Sequence, residues 1–187
     1  MISLCYIFNQ KNKGDSVPRD GKVKIMKIAV AGTGYVGLVT GVALANAGHH
    51  VTCVDVDPKK IETMRQGISP IYEPGLEDLM HENMERLTFT TDYRSAYEDA
   101  EVIFVGVGTP EKKDGSANLS YVNQVVDQIA QSIRRDCVVV IKSTVPIGTN
   151  DKLEKRLKES VQEDVWVEVA SNPEFLSQGT AVRDTLH

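Results

Sequence analysis

Lys27-Ile28-Ala29-Val30-Ala31-Gly32-Thr33-Gly34-Tyr35-Val36-Gly37 is the stretch that decides the fold. Ile28 to Ala31 is a short apolar run suited to a buried parallel strand, and the three glycines after it have the spacing of a tight strand-to-helix turn. In such a turn Gly32 makes the bend, Gly34 leaves room for a diphosphate to reach the backbone, and Gly37 lets the new helix close on its strand. The first N–H groups of a helix lack intrahelical partners and lie at the positive end of its dipole, so they attract an anion without help from a lysine. Val36, Val39, Thr40, Ala43, Leu44 and Ala47 predict an apolar stripe along that helix, and Gly48 predicts its left-handed end.

The next apolar run, Val51-Thr52-Cys53-Val54-Asp55, ends in an acid about 20 residues beyond the glycines, where a carboxylate can accept bonds from an adenosine ribose. The same charge repels a ribose phosphate, which favours NAD over NADP, although Lys59 and Lys60 lie close enough to soften that repulsion. Gly32, Gly34, Tyr35, Val36, Gly37 and Asp55 are therefore the candidate cofactor-binding residues on this side. A turn acid with no ligand is the plainer alternative for Asp55.

The rest of the chain alternates strand and helix. Pro58, Ile61 and Met64 mark a short helix stopping at Gly67, and Leu76, Leu79, Met80 and Met84 an amphipathic one. Between them Ser69-Pro70-Ile71-Tyr72-Glu73-Pro74-Gly75 cannot be regular structure, and its apolar Ile71 and Tyr72 make it a candidate ligand cover. Further strands are predicted at Leu87–Thr90, Val102–Val107, Val138–Ile141 and Val165–Ala170, with Asp92 capping a brief helix. Leu119 to Ile133 and Leu153 to Val161 carry helical spacing. Six strands alternating with helices predict an α/β fold, a doubly wound parallel Rossmann sheet of order 3-2-1-4-5-6.

Composition narrows the classes. A chain of 187 residues is enough for one well-buried α/β domain and short for a two-domain dehydrogenase. The formal net charge is −5, and from Lys27 onward 24 acidic side chains face 16 basic ones, which argues against a nucleic-acid partner. Residues 1–25 read as a disordered extension before a 26–187 domain, polar from Asn9 to Lys24, and the apolar Ile2 to Phe8 is too short to span a membrane and lacks signal-peptide flanks. Cys5, Cys53 and Cys137 show no ligand spacing, nor do His49, His50, His81 and His187, so no metal is expected. Core thiols without a secretory signal fit a reducing cytoplasm.

Three strand ends in the second half of the sheet present Thr109, Thr144 and Glu174 toward the crevice where a nicotinamide would lie. Taken singly each has a bland reading: Thr109 shapes a turn before Pro110, Thr144 caps the next helix, Glu174 is a solvated loop acid. Their convergence is the signal.

The segments GTGYVG, YEPGL, VGTP, KSTVP and SNPEFLSQGTA, in that order, resemble the UDP-glucose 6-dehydrogenase family from Met26 to His187. Relatives that oxidise GDP-mannose or UDP-N-acetylaminosugars share these motifs. The resemblance implies two successive oxidations at C6 of the sugar, using NAD and passing through a thioester on a cysteine. It implies Asp55 at the adenosine ribose with Lys60 beside it, Thr109 and Thr144 lining the nicotinamide side, Thr144 also bonding a catalytic water, and Glu174 as the acid–base group. Gln178 stands where many relatives carry a second acid, and it cannot transfer a proton. The nucleophilic cysteine, the central dimerisation helix and the UDP-binding part of the family find no counterpart in this sequence. The expectation is a chain that holds NAD, contributes to a homo-oligomer acting on a sugar nucleotide such as UDP-glucose, and is inactive alone. A stand-alone NAD-binding module is the alternative.

Overall fold

The computed structural model describes residues 24–173 and 176–186. Most of the 1–25 extension, Glu174 and His187 lie outside the described residues. Six strands, β1 (Lys27–Ala31), β2 (His50–Val54), β3 (Leu87–Thr90), β4 (Val102–Val105), β5 (Cys137–Ile141) and β6 (Val167–Ser171), form one sheet of order β3-β2-β1-β4-β5-β6. Every pairing is parallel, with Ile28 beside Val51 on one side and Val102 on the other. The predicted doubly wound sheet is thus observed.

Among the described residues six α-helices connect the strands, α1 (Tyr35–Asn46), α2 (Pro58–Arg65), α3 (Leu76–Glu82), α4 (Tyr93–Glu98), α5 (Ser120–Ser132) and α6 (Thr149–Ser160), and a seventh, α7 (Ala181–Leu186), follows β6. Strand side chains alternate between faces, which builds two cores. Ile28, Val30, Phe104 and Val140 meet Leu38, Val42, Met64, Met80 and Ala181 on one face. Ala29, Ala31, Ile103, Val105 and Val139 meet Tyr97, Val126, Ile129 and Leu157 on the other. Asp57 and Asp92 cap α2 and α4 through backbone N–H groups two and three residues on.

The structure corrects several sequence readings. The stripe predicted for α1 matches its buried side only in part: Val39 and Thr40 are buried, but so are Leu38, Gly41, Val42 and Ala45 outside the stripe, whereas Val36, Ala43 and Leu44 are half-buried and Ala47 is exposed. The helix is apolar on every side and is covered by both the sheet and its neighbouring helices, so periodicity carried no phase. Strand β4 ends at Val105 rather than Val107, because Gly106 comes against the start of α1. Helix α3 stops at Glu82, where the side chain of Asn83 donates to the Leu79 carbonyl at 2.9 Å, and Met84 belongs to a following 3-10 turn. Strand β6 starts two residues late, since the Val165 and Trp166 N–H groups bond the Gln162 carbonyl and Asp136 instead of the ladder. Among the described residues no helix is long and apolar enough to cross a membrane.

Candidate dinucleotide-binding site

Parallel strands deliver all their C-terminal ends to one edge of the sheet, and the site is built there. Gly32 bends the chain with φ +93°, a backbone that other residues rarely adopt, and its N–H donates to the Val54 carbonyl at 2.8 Å. This bond ties the turn after β1 to the end of β2. Five residues further the first turn of α1 lies so close that a Cβ on Gly37 would stand 1.9 Å from the Gly32 carbonyl oxygen. Gly34, at the tip, is exposed, and a Cβ built there meets nothing within 4 Å. No side chain caps the helix start. The turn is therefore tightly packed behind and open in front, which fits a diphosphate approaching the first N–H groups.

Asp55 leans toward this turn. The buried Thr33 donates to its Oδ2 from both the backbone N–H (3.0 Å) and the hydroxyl (2.6 Å), and the Asp57 N–H donates to Oδ1 at 3.0 Å. Lys60 Nζ lies 4.0 Å from Oδ2. Burial pushes the Asp55 carboxyl up, but the bonds from the Thr33 hydroxyl and the Asp57 and Thr33 N–H groups, with the charge of Lys60, outweigh it and hold the group below the usual carboxylate range. A carboxylate has about four acceptor positions. Three are filled, and the remaining one, on Oδ1, can accept a ribose hydroxyl.

The other half of the edge is tied together strand by strand. The Thr109 hydroxyl donates to the Thr144 carbonyl at 2.9 Å, the Ser143 hydroxyl to the Val107 carbonyl at 2.6 Å, and Lys142 Nζ to Asn172 Oδ1 at 3.1 Å. The ends of β4, β5 and β6 are thereby linked, with Thr144 exposed at the surface. Gly148, not Thr144, is the N-cap of α6. Where Glu174 lies relative to these groups falls outside the described residues.

Sequence reading missed Thr33, Ser143, Lys142 and above all Glu73. In the proline-flanked loop Tyr72 is 92% exposed, while Glu73 is only 5% exposed. Its Oε2 accepts the Tyr35 hydroxyl and the Gly179 N–H, the latter at 2.7 Å. Burial pushes this carboxyl up, yet the bonds from Tyr35 and from the Gly179, Val182 and Ala181 N–H groups together hold it below the usual range. Only spatial proximity could have shown this, because residues 73 and 179 are far apart in sequence. The thiols of Cys53 and Cys137 are buried and pushed up to about 12 by that burial, which leaves them inert. Among the described residues no cluster of three or more His, Cys, Asp or Glu side chains is placed to hold a metal ion.

Residues 26–187 match the UDP-glucose/GDP-mannose dehydrogenase family, NAD binding domain. The chain belongs to this family. Its cofactor is NAD. The chain is 55% identical over 164 residues to the UDP-glucose 6-dehydrogenase YwqF of Bacillus subtilis, covering 87% of this chain and 37% of that protein. A UDP-glucose dehydrogenase from the archaeon Pyrobaculum islandicum superposes with a TM-score of 0.83 at 39% identity, covering 91% of this chain and 40% of the other. A GDP-mannose dehydrogenase from Pseudomonas aeruginosa does so with 0.81 at 40% identity, over 85% and 38%. The chain thus spans well under half the length of these relatives.

Proposed function

We propose that this chain is the NAD-holding part of a sugar-nucleotide 6-dehydrogenase that converts UDP-glucose to UDP-glucuronate, GDP-mannose and UDP-N-acetylaminosugars being the alternative substrates. The observation that carries the reading is the Asp55 carboxylate, turned toward a glycine turn that is open at Gly34. The 55% identity to a UDP-glucose enzyme supports the choice of sugar.

When bound, NAD supplies the electron-pair acceptor for oxidation of the sugar alcohol. The N–H groups at the start of α1, around Tyr35, Val36 and Gly37, hold the diphosphate, and Gly32 sets their direction. Asp55 fixes the adenosine ribose through Oδ1 and, with its negative charge, disfavours a 2′-phosphate, while Lys60 moderates that charge. Thr109 and Thr144, joined by a hydrogen bond, line the nicotinamide side. Glu174 takes the proton of the alcohol and activates water in the hydrolytic step. The free, buried Cys53 and Cys137 fit a reducing cytoplasm.

Calorimetric titration of the folded chain with NAD and NADP tests the cofactor part, with NAD binding the tighter of the two. Absence of NAD binding would overturn it. Assay with UDP-glucose tests the rest: no NADH is expected from these residues alone, and steady NADH release would refute their catalytic incompleteness.

A further inference from the structure

Glu73 presents a carboxylate that the cofactor reading leaves unassigned. It stands in a loop between Pro70 and Pro74, where an acid ordinarily turns to water, yet it is 5% exposed. Three groups from two parts of the chain converge on it. Tyr35, from the first turn of α1, donates its hydroxyl to Oε2; the Gly179 N–H donates to the same oxygen at 2.7 Å; and the Val182 N–H faces Oε1 at 3.5 Å. The Tyr35 hydroxyl also lies 3.4 Å from the Ser177 carbonyl. Leu176 and Val182 pack on the same core as Tyr35 and Ile71, and Ala181 is fully buried there. Helix α7 has six residues, too few to be stable by itself, so residues 176–186 depend on these anchors. Tyr35 belongs to both systems: its backbone is in the turn that faces the diphosphate, and its side chain ends on Glu73.

We propose that Glu73 is a positioning residue through which the diphosphate-holding start of α1 fixes segment 176–186, so that a bound dinucleotide and the docked segment stabilise each other. This rests on the NAD reading of the site. Thermodynamic linkage makes the effect reciprocal: the factor by which NAD protects the segment equals the factor by which docking of the segment tightens NAD.

Amide hydrogen exchange of the whole chain, with and without NAD, tests the coupling in the native protein and in Glu73→Ala, Glu73→Gln and Tyr35→Phe. Without NAD, the Gly179 and Val182 amides exchange about tenfold faster or more in Glu73→Ala than in the native chain. NAD slows them in the native chain about fivefold or more, the lower end of usual coupling. Glu73→Ala weakens NAD by the same factor, Glu73→Gln, which keeps one acceptor oxygen, recovers part of both effects, and Tyr35→Phe loses the NAD-dependent protection. Amides of β5 report whether each variant is folded; should Glu73→Ala fail there, Tyr35→Phe, which lacks a single oxygen, carries the test. Native NAD binding without added protection of Gly179 overturns the proposal, as does wild-type NAD affinity in folded Glu73→Ala. No heat of NAD binding to the native chain overturns the cofactor reading itself, and the coupling with it.

Discussion

Substituting Gly37 by alanine places a methyl group where the structure has 1.9 Å between an ideal Cβ and the Gly32 carbonyl oxygen. Such contacts are not observed below about 3.0 Å, so the start of α1 must retreat by roughly 1 Å from the end of β1. Overpacking of this kind costs about 1–3 kcal/mol, while replacing a helical glycine by alanine returns up to about 1 kcal/mol. The net loss is about 1–2 kcal/mol. With a urea slope of about 2 kcal/mol/M, the unfolding midpoint falls by roughly 0.5–1 M. The displaced helix start also turns its first N–H groups away from the diphosphate, and NAD affinity drops about tenfold or more, equivalent to about 1.4 kcal/mol. Gly34→Ala is the control. Its backbone, φ −69° and ψ −173°, is one that alanine adopts freely, and its Cβ meets nothing, so stability stays within about 0.5 kcal/mol while NAD weakens because the methyl group fills the approach. Urea unfolding followed by circular dichroism, together with calorimetry, measures both quantities. A Gly37→Ala chain with the native midpoint and native NAD affinity would refute the assigned packing of α1 on the turn.

Asp55→Ala lowers NAD affinity about tenfold and narrows the preference over NADP, as a calorimetric pair with each dinucleotide would measure. The ionised Asp55 favours the folded chain, because its folded value lies below the unfolded one near 3.9; its contribution is complete above that unfolded value and is lost as pH falls through the depressed folded value. The gap in urea midpoint between native and Asp55→Ala chains should accordingly be largest near pH 6 and close in acid. Ser143→Ala removes the hydroxyl bonded to the Val107 carbonyl and costs about 1 kcal/mol, lowering Tm by about 2–4 °C in a thermal melt. Cys53 and Cys137 remain unalkylated by iodoacetamide in the native chain and react only after unfolding, which peptide mass spectrometry reads directly.

The sheet was legible because each central strand is a continuous apolar run ending in a turn signal, and because the glycine turn marks β1 as the place where the winding begins. What escaped is of two physical kinds. Helix α1 is apolar all round, so no stripe of residues could disclose which side meets the sheet; Leu38 and Val42 were indistinguishable from Val36 and Ala47. Glu73 and Lys142 act through partners distant in sequence, Gly179 and Asn172, and no local pattern marks such pairs. The cofactor side of the site came from short-range spacing between Gly32 and Asp55. Its nicotinamide side depended on where separate strands end, and there Thr109 and Thr144 meet across two loops.

The order of the strands has a consequence for the nascent chain. Strand β1 occupies the middle of the sheet, and its Ile28 pairs on one edge with Val102. Synthesis at about 5–20 residues per second separates those two residues by roughly 4–15 s, during which one whole edge of a strand that is apolar from Ile28 to Ala31 has no partner to meet. Ribosome-bound chains stopped before β4 should therefore recruit chaperones far more strongly than chains stopped after it.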